Sequence, residues 1–397
     1  MNKKKVLIFS LAYYPWVGGA EVAIRELTDR LPQYDWELVT VNLGDSQAIE
    51  EMVGNVRVFR LPGGFWGKYL FPWRAARWAT RRHQLRPYDL IWGMMANQAG
   101  MAAAKFKKIF PTVSFLLTLQ EGDDLDSLSY RLKLFLPKAL GVFRLPDQIQ
   151  VISRYLGKWA RLMGATCPIT VMPNGVDLER FKLKAKSYLP DDKAGKLKAD
   201  PIIITTSRLV KKNGIDDLIK SLTFLSDNVK LEIVGAGEEE EALKRLVESL
   251  GLASRVSFLG YKPSLELPQY LERADVFCRP SRSEGLGNSF LEAMAVGLPV
   301  IGTPVGGIPD FLHGGKHLDT RCPSSPEALG HLVSKCQTGW LCRVNDPKSV
   351  AEQVRFILAP ANEVAVRTVI QQAQQLVSEN YNWDKLALRF AEILSKP

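Results

Sequence analysis

The sequence predicts an α/β protein made of two doubly wound parallel-sheet units in tandem. Short, continuously apolar runs alternate with stretches of helical periodicity, as strands buried on both faces alternate with covering helices. The alternation stops at a Lys- and Asp-rich interval and then starts again. The chain has 397 residues, 46% hydrophobic and 24% charged. That is core material for about two to three domains.

In the first half the apolar run Val6–Ser10 reads as a buried strand. Ala20–Leu31 follows with helical spacing, Val22, Leu27 and Leu31 being inward-facing candidates and Arg25, Glu26 and Asp29 polar. Further strands are expected at Glu37–Val41, Val56–Arg60, Asp89–Trp92, Thr112–Leu117, Gln148–Ile152 and Ile169–Met172, with helical stretches between most of them. Phe181–Asp200 carries Pro190, Gly195 and many charges and has little to bury, which is the composition of a linker. A second series begins at Ile202–Thr206 and continues through Lys230–Val234, Val256–Leu259, Val276–Cys278 and Pro299–Gly302. Its helices are expected near Ile215–Leu222, Glu239–Leu250 and Phe290–Val296. The expected division is a first unit over 1–175, a linker over 176–200 and a second unit over 201–379. A final helix at Trp383–Leu394, within 380–397, would pack back on the first unit. The stretch His317–Gln337 reads as an insertion.

The composition excludes a disordered chain, a coiled coil and a disulfide-stapled miniprotein. No apolar run reaches the roughly 18 residues that a membrane-spanning helix needs. Met1–Lys5 followed by Val6–Tyr14 has the charge order of a secretion signal, but it runs into Pro15–Gly19 without a small-residue cleavage site, and so reads as a first strand. Cys167, Cys278, Cys322, Cys336 and Cys342 are dispersed and odd in number, which implies a reduced, cytoplasmic protein. The four histidines (His83, His313, His317, His331) form no ligand spacing, so no metal site is expected. Net charge is +10. Residues 1–180 hold 24 Lys/Arg against 16 Asp/Glu, and residues 181–397 hold 28 against 26, so the basic excess lies in the first half.

Three clusters carry chemistry. Ser283–Ala295 follows a strand, opens with Gly285 and Gly287, and enters a helix near Asn288 or Ser289, so free N–H groups and a positive dipole end face an anion. Within it, Glu284 on the loop and Glu292 in the first helical turns are placed to accept hydrogen bonds from sugar or ribose hydroxyls. Ser207–Gly214, again past a strand, offers Arg208, Lys211 and Lys212 to a diphosphate. Trp16–Glu21 closes the first strand–helix turn, with Gly18 and Gly19 permitting close backbone approach.

With these residues the chain resembles the family 4 glycosyltransferases. The resemblance covers nearly the whole length and adds Pro173–Asp177, Val234–Gly237, Gly306–Asp310 and Thr338–Leu341 to the clusters above. It implies the GT-B fold, two Rossmann-like domains facing across a cleft. It also implies retaining, metal-independent transfer of a sugar from a UDP- or GDP-linked donor to a glycan or lipid-linked acceptor in surface polysaccharide or glycolipid synthesis. On the family pattern Glu284 holds the donor sugar, Glu292 the ribose, and Arg208 the diphosphate, with Lys212, Asn213 and the backbone of Gly285, Leu286, Gly287, Asn288 and Ser289 alongside. Gly235 and Tyr261 border the base. Gly18 and Gly19 lie near the reacting centre. A diphosphate leaves readily when fixed donors meet its growing charge, so no strong general acid is needed.

Two positions depart from the pattern. Asn213 stands where the family usually has Lys, and Gln120 where it often has His; an amide cannot take a proton at neutral pH. Glu121 or Asp123 is an alternative for positioning the acceptor. These departures leave open a non-catalytic nucleotide-sugar-binding protein, or another GT-B enzyme such as a nucleotide-sugar epimerase. A phosphorylase would need a cofactor-bearing Lys that is not evident. Asp124–Asp126 reads as an acidic turn rather than a metal motif, and Gly235–Glu240 has Glu240 where a dinucleotide fingerprint needs its third glycine. Finally, Phe65–Arg86 holds six basic residues, six aromatics and no acid, which suits an anionic membrane surface; Arg74, Arg77, Trp78 and Arg81 share a helical face. No nucleic-acid-reading module accompanies that charge, and no nucleic-acid partner is expected.

Overall fold

The computed structural model describes residues 3–44, 47–64, 66–122, 141–181, 200–312 and 338–395. Phe65, the Asp123–Asp126 stretch, most of the expected linker and the insertion at 317–337 lie outside the described residues. The chain divides into two compact units, Met1–Asn174 with Trp383–Pro397, and Gly175–Asn382.

The first unit is built on eight strands: β1 (Lys4–Phe9), β2 (Tyr34–Val41), β3 (Glu50–Val53), β4 (Val56–Leu61), β5 (Leu90–Met94), β6 (Ser114–Leu119), β7 (Gln148–Val151) and β8 (Ile169–Val171). Their order is β3-β4-β2-β1-β5-β6-β7-β8. Strands β1 and β5, buried along nearly their whole length, sit at the centre because their apolar runs need cover on both faces. All pairings are parallel except β3 against β4. Sequence periodicity passed over β3: Glu50-Glu51-Met52-Val53 is a half-polar edge strand, exposed at alternate residues. Helix Trp383–Ser395 belongs to this unit. Phe390 packs on Trp92 with ring centroids 4.7 Å apart, and Arg30 Nε donates to Asp384 Oδ1 at 2.7 Å.

Helix Gly67–Leu85 packs against helix Gln98–Ile109, and Phe71, Ala75, Ala76 and Ala79 are among its buried residues. Near its C-terminal end Arg82 forks onto Glu37, with Nε to Oε2 at 2.7 Å and Nη2 to Oε1 at 2.8 Å, while the Tyr88 hydroxyl donates to the same carboxylate at 2.6 Å. Trp78 does not join the outward basic face: it is half-buried with its ring 4.9 Å from Phe59.

The second unit holds β9 (Ile202–Thr206), β10 (Lys230–Val234), β11 (Val256–Gly260), β12 (Val276–Cys278), β13 (Val300–Gly302) and β14 (Trp340–Leu341). The order is β11-β10-β9-β12-β13-β14, parallel throughout. Its core joins Ile203, Leu218, Leu231, Ile233, Val276 and Ile301. Two residues, Trp340 and Leu341, make β14, too few for periodicity to register. Phe181, read from sequence as the edge of a linker, is instead a buried residue of this unit; it ends helix Leu178–Phe181, which packs on helix Asn288–Val296. Helix Glu363–Asn380, not singled out from the sequence, also packs on helix Asn288–Val296.

Candidate active site

In an open parallel sheet, ligands bind beyond the carboxyl ends of the strands where the strand order reverses. In the second unit the chain proceeds outward from β9 through β10 and β11, then returns to β12 on the other side of β9. The reversal therefore lies between β9 and β12, and the loops leaving these strands are 207–214 and 279–287. These are the loops of Arg208 and Glu284.

Arg208 is exposed, and its loop is held from beneath. Asn213 is buried, and its Nδ2 donates to the Arg208 carbonyl at 2.7 Å. Asn213, at the position where the family usually carries Lys, thus shapes the loop that bears Arg208. Lys212 is half-buried, its carbonyl accepting the Arg282 N–H at 2.6 Å. The Arg282 guanidinium fastens the same loop, donating to Lys211 O at 2.6 Å, Asp217 Oδ2 at 2.6 Å and Asn345 Oδ1 at 2.6 Å. On the far side Gly235 has φ +143°, and a Cβ there would lie 1.8 Å from the Ser207 carbonyl oxygen. Only glycine lets the loop after β10 lie this close to the loop after β9. Its N–H donates to Gly260 O at 2.9 Å, and Tyr261 follows, largely exposed.

Glu284 is held by a neighbour that sequence analysis did not single out. Arg279, buried at the end of β12, donates Nη2 to the Glu284 carboxylate, Nη1 to Ser289 Oγ at 2.8 Å and Nε to Ser281 Oγ at 3.2 Å. Glu284 Oε1 also accepts the Gly285 N–H at 3.0 Å. Gly285 and Gly287 are buried, and Leu286 is sunk in the core at 1% exposure, so these residues present backbone rather than side chains. Helix Asn288–Val296 then begins with no side-chain cap on its first N–H groups, which leaves its positive end for an anion. Asn288 and Ser289 are half-buried in its first turn. Glu292, one turn on, is half-buried; burial pushes its carboxyl up to about 7, against the pull of Arg180 and Arg279.

In the first unit the order reverses between β1 and β5. The loop after β1 runs to Gly18 and Gly19, both exposed, and the Gly18 N–H donates to Glu21 Oε2 at 2.8 Å. At the end of β6, Gln120 Oε1 accepts from Asn174 Nδ2 at 3.0 Å. Glu121 is buried and accepts the Ala96 N–H at the end of β5, so it ties two strand ends together. The Arg279 signal was present in the sequence, as an Arg five residues before Glu284 at a strand end. Its burial was not.

Comparison with known proteins places the chain in a family. Residues 17–180 match the model of Glycosyltransferase Family 4, and residues 190–367 that of Glycosyl transferases group 1. The WcaL protein of Escherichia coli (strain K12), named for colanic acid biosynthesis as a glycosyltransferase, is 30% identical over 311 residues, 75% of this chain and 68% of that protein. The GDP-mannose-dependent alpha-(1-6)-phosphatidylinositol monomannoside mannosyltransferase of Mycolicibacterium smegmatis is 31% identical over 260 residues, 63% of this chain and 62% of that protein. Among solved structures, Anabaena Alr3699/HepE in complex with UDP and glucose superposes with a TM-score of 0.76 at 20% identity, covering 100% of both chains. The fold, with its two sheets, is of the GT-B class. Within that class, the chain belongs to glycosyltransferase family 4.

Proposed function

We propose that this glycosyltransferase moves a sugar from a nucleoside-diphosphate donor to a glycan or lipid-linked acceptor in surface polysaccharide or glycolipid synthesis, with retention and without a bound metal. The observation that carries the reading is the pairing of loops at the β9/β12 reversal, one presenting exposed Arg208 and the other an oriented Glu284 before an uncapped helix start. In this reading Arg208, Lys212 and the amides of Leu286–Ser289 meet the charge that grows on the leaving diphosphate, the Gly285 N–H being engaged by Glu284 Oε1. Glu284 accepts hydroxyls of the donor sugar and Glu292 those of the ribose, while Gly235 and Tyr261 border the base. The acceptor hydroxyl attacks on the face from which the diphosphate departs, and a phosphate oxygen takes its proton. Gly18, Gly19, Gln120 and Glu121, all of the first unit, are assigned to the acceptor in this reading, Gln120 being engaged by Asn174 and Glu121 by the Ala96 N–H.

The relatives named for colanic acid and phosphatidylinositol monomannoside support an envelope glycan or glycolipid as acceptor. Docking at an anionic membrane surface from the cytoplasmic side accords with helix Gly67–Leu85. Its outward side exposes Tyr69 and Trp73, with Trp66 just ahead, among Lys68, Arg74, Arg77 and Arg81. The test is a melting-temperature panel of nucleotide sugars followed by product analysis with the best stabiliser. Transfer to an acceptor or hydrolysis of the donor supports an enzyme; stabilisation without turnover over long incubation supports a binding protein.

A further inference from the structure

We infer that Arg279 is a positioning residue for the donor sugar, its guanidinium fixing the Glu284 carboxylate in the orientation that receives the sugar hydroxyls. The inference rests on the donor-sugar role proposed above for Glu284.

A buried guanidinium is unfavourable unless its donors are met. Arg279 is 6% exposed, and its donors meet three side chains, Glu284, Ser289 and Ser281. Its plane lies over the Phe290 ring, 4.9 Å from the centroid. The group is therefore fixed by packing on one side and by three oxygens along its edge. Glu284 is fixed in turn from behind. A Cβ on Gly306, which has φ +56°, would sit 1.7 Å from the Glu284 carbonyl oxygen, and the Gly307 N–H donates to that oxygen at 3.2 Å. With Oε2 held by Arg279 and Oε1 by Gly285, the carboxylate cannot rotate freely, yet each oxygen keeps a further lone pair. The Glu284 side chain remains 17% exposed, so those lone pairs are reachable. Through Ser289 the same guanidinium ties the carboxylate to the first turn of helix Asn288–Val296, which keeps sugar-binding and anion-binding groups in register. Lysine would supply the charge but not the fork.

The competing role is a loop brace with no bearing on the sugar. The two differ in what they do to two ligands. Binding would be measured for the best nucleotide sugar among UDP-glucose, UDP-galactose, UDP-N-acetylglucosamine and GDP-mannose, and for its nucleoside diphosphate alone. Arg279→Met is expected to weaken the nucleotide sugar by about tenfold or more, equivalent to about 1.4 kcal/mol, and the diphosphate by less than about threefold. In a Glu284→Gln background the same change should add little, since its effect runs through that carboxylate. Arg279→Lys should restore only part of the loss. Equal weakening of both ligands, or an undiminished Arg279→Met effect beside Glu284→Gln, overturns the inference while leaving the proposed function standing. Should Arg279→Met not fold, Ser289→Ala removes one anchor and carries the test: a smaller, sugar-specific loss supports the inference, and its absence refutes it. Failure of every nucleotide sugar to bind the unaltered chain removes the donor role itself.

Discussion

Asn213 Nδ2 donates to the carbonyl of Arg208 at 2.7 Å, across the loop that leaves β9. The bond makes Asn213 a loop residue and explains how Arg208 is presented at the strand end. Removing the amide takes away one of that carbonyl's two donors, the other being the Val210 N–H at 3.1 Å, and one such hydrogen bond is worth about 0.5–1.5 kcal/mol. Asn213→Ala should lower stability to denaturant by about that amount and weaken nucleoside-diphosphate binding. Unchanged stability together with unchanged binding would place Asn213 outside the presentation of Arg208.

Gly306 tests whether the Glu284 loop must sit where it does. Its φ is +56°, and only 1.7 Å would separate a Cβ at this position from Glu284 O, so alanine has no room unless the loop moves. Gly306→Ala is expected to lower kcat/KM for donor turnover by more than its loss of stability accounts for. Parent-like kinetics would mean that the loop position is not set by this contact.

Glu292 provides a pH test. Burial raises its carboxyl from 4.5 to about 7, so the folded chain keeps a proton that the unfolded chain releases. Stability then falls as pH rises from about 4.5 through about 7, and the penalty is complete above that. Glu292→Gln removes the penalty. Its melting temperature relative to the parent should therefore increase between about pH 5 and about pH 8. A difference independent of pH would contradict an elevated carboxyl.

The basic aromatic helix predicts charge-dependent lipid binding. Each Lys or Arg near an anionic surface contributes about 1 kcal/mol. Arg74→Gln, Arg77→Gln and Arg81→Gln together should weaken cosedimentation with phosphatidylglycerol-containing vesicles by about a hundredfold, and salt should weaken the parent likewise. Trp73→Ala should weaken it without changing the salt dependence. Equal binding to neutral vesicles would contradict docking by charge.

The parallel-sheet architecture was legible because buried parallel strands announce themselves as apolar runs: Ile202–Thr206 and Lys230–Val234 were placed to the residue. Strands β3 and β14 were not, the first being half-polar at an edge and the second only two residues long. The glycine loops and the Glu284/Glu292 spacing were also legible, since both are local patterns. Partnerships were not. Asn213 with the Arg208 carbonyl, Arg279 with Glu284 and Glu121 with Ala96 each depend on burial and on how loops from different strands meet. The face of Trp78 was misplaced because helical spacing puts it beside Arg81, whereas Phe59 draws the ring inward.

In the proposed function the second unit grips a nucleotide sugar through Arg208 and Glu284. This grip is tested most directly by the rate at which the unaltered chain, Arg208→Ala and Glu284→Ala release nucleoside diphosphate from the best-binding donor with acceptor present. Removing one preorganised donor to developing charge typically costs about 10²–10³ in kcat. Arg208→Ala should lose activity by that order and Glu284→Ala should lose it sharply, both still folded. Turnover equal to the parent in either variant would contradict the proposed grip.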